Sequence, residues 1–326
     1  MRILIALFLL VALAAGGWLA WAVYAPVTPP GNRSVLLHSG YSTRRIGAEL
    51  KKAGIIRSVF AFRLWHTLHS KHSLKAGEYL FDRAASIPQV YDRIARGDIY
   101  FHVVTIPEGY TMFDIAKTME DEGLASAQEF LKVAQTRTDL IADLAPEAKS
   151  LEGYLFPNTY QFTRTQNLEE MVGTMVHQFR QVAQQIGLNS DVHRTVTMAS
   201  IVEKETAAGD ERAIVAGVYY NRLAHRVALD ADPSVIYALL LSGRYTGNLH
   251  HADLAVHSPY NTYRFAGLPP GPIANPGQSA LEAALHPANT QFFYFVSDGN
   301  GHHRFARNLT EHNRNVAAYR RALGMH

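Results

Sequence analysis

The sequence predicts an α+β protein: an N-terminal membrane-spanning helix, a small α+β region, then a mainly helical body carrying a β-hairpin. Three observations carry this expectation. Ile3 to Tyr24 is a run of 22 residues without a charge. A Gly-Tyr-Ser/Thr signature occurs twice, 69 residues apart, at Gly40-Tyr41-Ser42 and Gly109-Tyr110-Thr111. From Asn167 onward, stretches with apolar residues three and four apart alternate with loops rich in Gly, Pro and Asn.

A length of 326 residues suits two or three domains. With 48% hydrophobic and 18% charged residues, a sizeable core can form. A formal charge of +3 makes no case for nucleic acid, whereas a pI near 9.0 fits an anionic neighbourhood such as a membrane surface or a wall polymer. The chain has no Cys, which excludes disulfide scaffolds, thiolate zinc sites and thiol nucleophiles.

The apolar run from Ile3 spans roughly 30 Å as a helix, the thickness of a bilayer core. Trp18, Trp21 and Tyr24 cluster at its end, as interfacial aromatics do. Arg2 and the N-terminal amine precede it, and no basic residue follows until Arg33. The positive-inside rule then keeps the N-terminus in the cytoplasm and puts the body outside. Cleaved signal peptides have shorter apolar runs, although Ala12-Leu13-Ala14 offers a cleavage signal and leaves removal open.

The expected organisation is therefore an anchor over residues 1–25, a Pro-rich linker over 26–34, a repeat-bearing α+β region over 35–149 and the body over 150–326. In each copy of the repeat a strand (Val35 to His38, His102 to Ile106) leads to a Ser/Thr cap. A short amphipathic helix follows (Ile46 and Leu50, Ile115 and Met119), and a Gly stops it. Second helices open at Ser58 and Ser126. Leu74 to Phe81 ends as a strand, and Ile87 to Ile94 is helical and closes at Gly97. The strand–helix–helix–strand order resembles a LysM-like peptidoglycan-binding module in two divergent copies. It equally suits a generic small α+β unit. Thr136 to Lys149 reads as a connector, and Leu151 to Tyr160 as an extended loop.

In the body, Asn167 to Ile186 forms a long amphipathic helix. Arg194 to Ala208 and Glu211 to Leu223 form two more. Asp232 is placed to cap a fourth, with Pro233 in its first turn. Phe292 to Val296, the Asp298-Gly299 turn and the return through Phe305 make a hairpin. A final helix opens at Asn308 and runs to about Leu323.

The helix from Arg194 carries the sharpest chemistry. Met198, Ile201, Val202 and Glu205 share one face, at i, i+3, i+4 and i+7. Glu203 lies roughly 200° and Lys204 roughly 100° around the helix from Glu205, so both point away from that stripe. A carboxyl on a core-facing stripe loses water, keeps its proton and can serve as a general acid. The same pattern also suits a structural Glu paired with a buried cation.

Five segments now form a set: Ala199-Ser200-Ile201-Val202-Glu203-Lys204-Glu205-Thr206, Asn221-Arg222-Leu223, Asp232-Pro233-Ser234-Val235-Ile236-Tyr237, Tyr260-Asn261-Thr262-Tyr263 and Gly267-Leu268-Pro269-Pro270-Gly271-Pro272-Ile273. In order and spacing they resemble the endolytic murein transglycosylase, or YceG-like, family from about residue 150 to the C-terminus. The resemblance implies a membrane-anchored lytic transglycosylase. It would cut nascent glycan strands between N-acetylmuramic acid and N-acetylglucosamine, leave 1,6-anhydro ends and so end strand elongation. It implies Glu205 as the catalytic acid and no cofactor or metal. The implied setting is the inner membrane with an extracytoplasmic body, and the implied partners are glycan strands and, through the family role alone, peptidoglycan synthases. Tyr237, Asn261 and Tyr263 are candidates to hold the sugar, and Asn221 or Arg222 to support the acid.

Three other readings stay open at this point. A lysozyme-like muramidase would need a second carboxylate, for which Asp230, Asp232 and Glu203 are candidates. A zinc enzyme would draw on His250, His251, Asp253, His257, His302 and His303, but no His-x-x-x-His pair with a nearby Glu is present. A non-catalytic, membrane-tethered wall-binding protein would rest on the repeat region.

Overall fold

A computed structural model describes residues 1–69 and 73–324. The chain divides into two compact units: Met1–Val103 with Gln161–Asn167, and Val104–Tyr160 with Leu168–His326.

In the first unit, helix α1 (Arg2–Tyr24) is long and apolar enough to cross a membrane, alone in this among the described residues. Strand β1 (Arg33–Leu37) pairs antiparallel with β2 (Gly77–Phe81), setting Val35 opposite Tyr79. Between them run α2 (Thr43–Lys52) and α3 (Val59–Leu68), and α4 (Ile87–Arg96) follows. Hydroxyl caps start the first two of these helices. The Ser42 Oγ accepts from the Arg45 amide at 3.3 Å, and the Ser58 Oγ from the Ala61 amide at 3.2 Å. Ile46, Leu50, Phe62, Tyr79, Tyr91 and Ile94 close the core.

The end of α1 is part of that core, since Ala22 and Val23 are buried. The segment after it is stitched down rather than free. Arg57 donates to the Ala25 and Pro26 carbonyls at 2.5 and 2.8 Å, and Val27 bridges to Ala85. The stretch expected as a linker over 26–34 is thus largely part of the unit. Residues 161–167 return to it, where Arg164 reaches the buried Glu78 at 3.3 Å.

The chain passes between the units within β3 (His102–Thr105) and β4 (Thr159–Phe162), which form a two-stranded sheet. The repeat signature recurs as geometry. Gly40 and Gly109 sit at φ +81° and +76°, the left-handed region, two residues before the capping Ser42 and Thr111.

The second unit opens with α5 (Met112–Asp121) and α6 (Ala127–Thr136), so residues 104–149 fold with the body and not with the region before them. Two buried side chains account for this. Both Glu152 carboxylate oxygens accept the Met112 amide, at 3.1 and 3.0 Å. Asn275 takes the Gly153 and Leu155 amides on its Oδ1, both at 2.9 Å, and donates to the Tyr110 carbonyl and to Glu152.

Next come α7 (Leu168–Gln185), α8 (Val192–Glu205), α9 (Arg212–Ala224), α10 (Asp232–Leu241) and α11 (Gln278–Leu285). A hairpin of β5 (Tyr294–Ser297) and β6 (His303–Ala306) pairs Tyr294 with Ala306, and α12 (Leu309–Ala322) ends the chain.

Helix α8 is wrapped by α9, α10 and α11, and Val196, Met198, Ala199, Ser200, Ile201 and Val202 expose nothing to solvent. That enclosure corrects the single-face reading. The Glu203 side chain is only 5% exposed, paired with Arg212 at 3.2 Å and accepting the Gly277 amide at 3.0 Å. The N-cap of α10 is Ala231, not Asp232, whose carboxylate instead accepts the Tyr263 hydroxyl at 2.7 Å.

Candidate active site

Glu205 is the last residue of α8, and the chain turns extended at Thr206. Its carboxyl therefore leaves the buried helix at the helix mouth. It is partly covered and opens onto a cleft of about 420 Å³. Helix α9 contributes Tyr219 and Arg222, three residues apart and so on one side of it. The turn before α10 contributes Asp230, the first residue of α10 is Asp232, and the following loop contributes Tyr263. Phe293, Tyr294, Phe295 and His312 make the aromatic wall.

The polar groups hold one another in place. Arg222 donates to the Leu229 carbonyl at 2.6 Å, pairs with Asp230 at 3.4 Å and lies over the Tyr294 ring at 5.2 Å. Tyr294 stacks with His312, centroids 5.1 Å apart. The Tyr263 hydroxyl is fixed by Asp232, and its amide is fixed by the Asn261 side chain at 3.0 Å.

Burial pushes the Glu205 carboxyl up to about 7, and the Asp232 charge pushes the same way. The Tyr219 hydroxyl, hydrogen-bonded to the carboxyl, and the Arg222 charge pull against it. The balance leaves a carboxylic acid that holds its proton near neutral pH and gives it up readily, which a group acting first as acid and then as base requires.

The residues singled out from the sequence fall into two groups. Glu205, Arg222 and Tyr263 line the cleft together, as do Asp230 and Asp232. Tyr237, Asn261 and Asn221 do not line it. Tyr237 is buried and hydrogen-bonded to Glu152, against the rings of Phe113 and Tyr260. Asn261 is buried and organises its own loop, donating to the Leu254 and Val256 carbonyls. Asn221 donates to the Thr290 and Phe292 carbonyls at 2.8 and 3.0 Å, which holds the segment leading to the aromatic wall.

His302 and His303 pair with Glu211 at the head of α9. Among the described residues, no three His, Asp or Glu side chains gather as metal ligands would.

A family model described as the YceG-like family matches residues 35–318. The chain belongs to the YceG-like family. It is 33% identical over 307 residues to an endolytic murein transglycosylase of Bacillus subtilis, covering 88% of this chain and 84% of that one. It is 29% identical to an endolytic murein transglycosylase of Streptococcus pneumoniae, covering 96% of this chain but only 64% of that longer protein. A YceG-like protein of Listeria monocytogenes, solved by crystallography, superposes with a TM-score of 0.57 at 32% identity, over 87% of this chain and 98% of that one.

Within this YceG-like fold, Tyr219 and the aromatic wall join the cleft without being expected there from the sequence. Tyr219 carried a signal. It stands on the apolar stripe of α9 with Val215 and Val218, so its hydroxyl needs a buried partner, and Glu205 is that partner. Phe293, Tyr294 and Phe295 read as an ordinary apolar strand, with no feature to mark them as lining a cleft.

Proposed function

We infer that this chain is an endolytic murein transglycosylase, a lyase that cleaves the glycan strands of peptidoglycan. Its place in the YceG-like family and its identity to relatives bearing that name support the reading. The observation that carries the chemistry is one partly buried carboxyl, Glu205, poised near neutrality in an aromatic-walled cleft.

Glu205 donates its proton to the oxygen linking C1 of N-acetylmuramic acid to the next N-acetylglucosamine. The C1–O bond breaks and an oxocarbenium-like state forms. The Glu205 carboxylate then takes the proton from the O6 hydroxyl of the same muramic acid, and O6 bonds to C1. A 1,6-anhydro end and a free 4-hydroxyl result, and Glu205 is again protonated. The nucleophile belongs to the substrate, so no second carboxylate has to position water, and proximity supplies much of the rate.

Tyr263 and Arg222 touch the sugar in this scheme, while Asn221 holds the segment before the aromatic wall and Asn261 the loop that carries Tyr263. Helix α1 anchors the chain in the cytoplasmic membrane with the body outside, where glycan strands and their synthases are. The repeat region contributes LysM-like contacts to glycan.

Asp230 and Asp232 in the same cleft support a second reading, a muramidase in which one of them activates water. Digestion of uncross-linked glycan strands in ¹⁸O-water separates the two. A lyase gives anhydro-muramic ends without label, whereas labelled reducing ends would overturn the lyase reading. The Glu205→Gln variant should lose anhydro product by at least about 100-fold, the scale of a missing general acid.

A further inference from the structure

Helix α3 of the first unit has an apolar face left open among the described residues. Phe60 is 62% and Leu68 71% exposed, and Leu64 between them is half-buried. At i, i+4 and i+8 the three form one stripe. This face continues directly into α1. Gly16, Leu19 and Val23 of α1 share an apolar groove of about 240 Å³ with Leu64, Trp65 and Leu68 of α3. The Trp65 ring meets Tyr24 edge-on at 5.9 Å, and Arg57, just before α3, lies over the Trp21 ring at 4.6 Å.

Gly16 to Tyr24 covers about 12 Å of helix axis. A side chain packed against a given turn of a membrane-crossing helix shares the depth of that turn. If α1 crosses the bilayer up to its Trp21–Tyr24 end, the far end of α3 lies at the level of the acyl boundary. Charge agrees with this. Among residues 43–69, Arg44, Arg45, Lys51, Lys52, Arg57 and Arg63 stand against Glu49 alone. Basic residues beside an apolar helix face suit an anionic lipid surface.

We propose that α3 is a second membrane-contacting element, lying in the interface of an anionic bilayer with Phe60, Leu64 and Leu68 turned into the lipid beside the end of α1. This rests on the reading of α1 as the anchor. The first unit is then docked on the membrane by two helices that share a core, and it cannot swing about a single tether.

The chain has no native Cys, so single nitroxide labels can be placed cleanly. The test uses full-length protein in phosphatidylglycerol-containing nanodiscs, with Phe60→Cys, Leu68→Cys, Leu10→Cys on α1 and Lys132→Cys on α6. Collisions with oxygen and with a water-soluble nickel chelate report depth. We expect oxygen-dominated relaxation at 10, 60 and 68 and nickel-dominated relaxation at 132. Oxygen-dominated relaxation at 10 with nickel-dominated relaxation at 60 and 68 would overturn the proposal and leave the anchor standing. Protection from both reagents at 60 and 68 would mean protein covers the face, such as a second copy, and would also overturn it. A nickel-dominated label at 10 would remove the anchor itself and the proposal with it.

Discussion

At the scale of single residues, the proposed mechanism turns on the Glu205 proton. The carboxyl is raised from 4.5 to about 7, so the acid form dominates below that pH. We expect kcat/KM on glycan strands to fall as pH rises through about 7. Replacing Tyr219 by Phe removes a donor that favours the anion, so the carboxyl climbs further and the falling limb moves to higher pH. A limb that stays put or moves to lower pH would contradict this role for Tyr219. The sign for stability is the same. Between about 4.5 and 7 the folded state keeps a proton that the unfolded chain has lost, so Glu205 makes the fold less stable as pH rises across that window. Glu205→Gln should flatten that part of a melting-temperature profile.

At the scale of elements, α9 and the segment 288–292 work as one piece. The Ala288 amide donates to the Ala213 carbonyl at 2.9 Å, and Asn221 ties Thr290 and Phe292. Gly217 permits this approach, because a Cβ there would stand 2.4 Å from the Ala288 carbonyl oxygen. That oxygen is backbone and cannot rotate away. Gly217→Ala should therefore push α9 off the segment at a cost of about 1–3 kcal/mol, lowering Tm by roughly 2–10 °C. Since α9 also presents Tyr219 and Arg222, activity should fall at temperatures where the variant remains folded. A melt unchanged from the parent would show that the helix can shift freely.

At the scale of the whole molecule, the end of α1 contributes to the core of the first unit. A chain beginning at Trp18 keeps Ala22 and Val23, while one beginning at Pro26 loses them along with the Ala25 carbonyl that Arg57 uses. Removing a buried Val and a buried Ala costs about 2 kcal/mol. We expect the shorter chain to melt about 5–10 °C lower in detergent solution. Equal melts would mean that the last turn of α1 is only a tether.

The sequence by itself determined the apolar span, the doubled Gly-Tyr-Ser/Thr caps, helices α7 to α10 and α12 of the body, and the presence of Glu205 on a buried helix. Each is written locally, as a run of apolar residues, a turn that needs a positive φ, or a periodicity of three and four. Helix α11 did not stand out from the Gly- and Pro-rich stretch before it. Only the tertiary structure decided the rest. Glu203 is buried because α9 and α11 close over the other side of α8, and a single-helix projection cannot contain that. Tyr237, Asn221 and Asn261 carry sugar-binding chemistry in their side chains, yet their hydrogen bonds are spent on backbone carbonyls or, for Tyr237, on Glu152. Residues 104–149 join the body because Glu152 and Asn275 reach across 40 and 165 positions of chain to claim the start of α5. A buried polar group takes whichever partner the fold brings near it, and distance along the chain says nothing about which one that is.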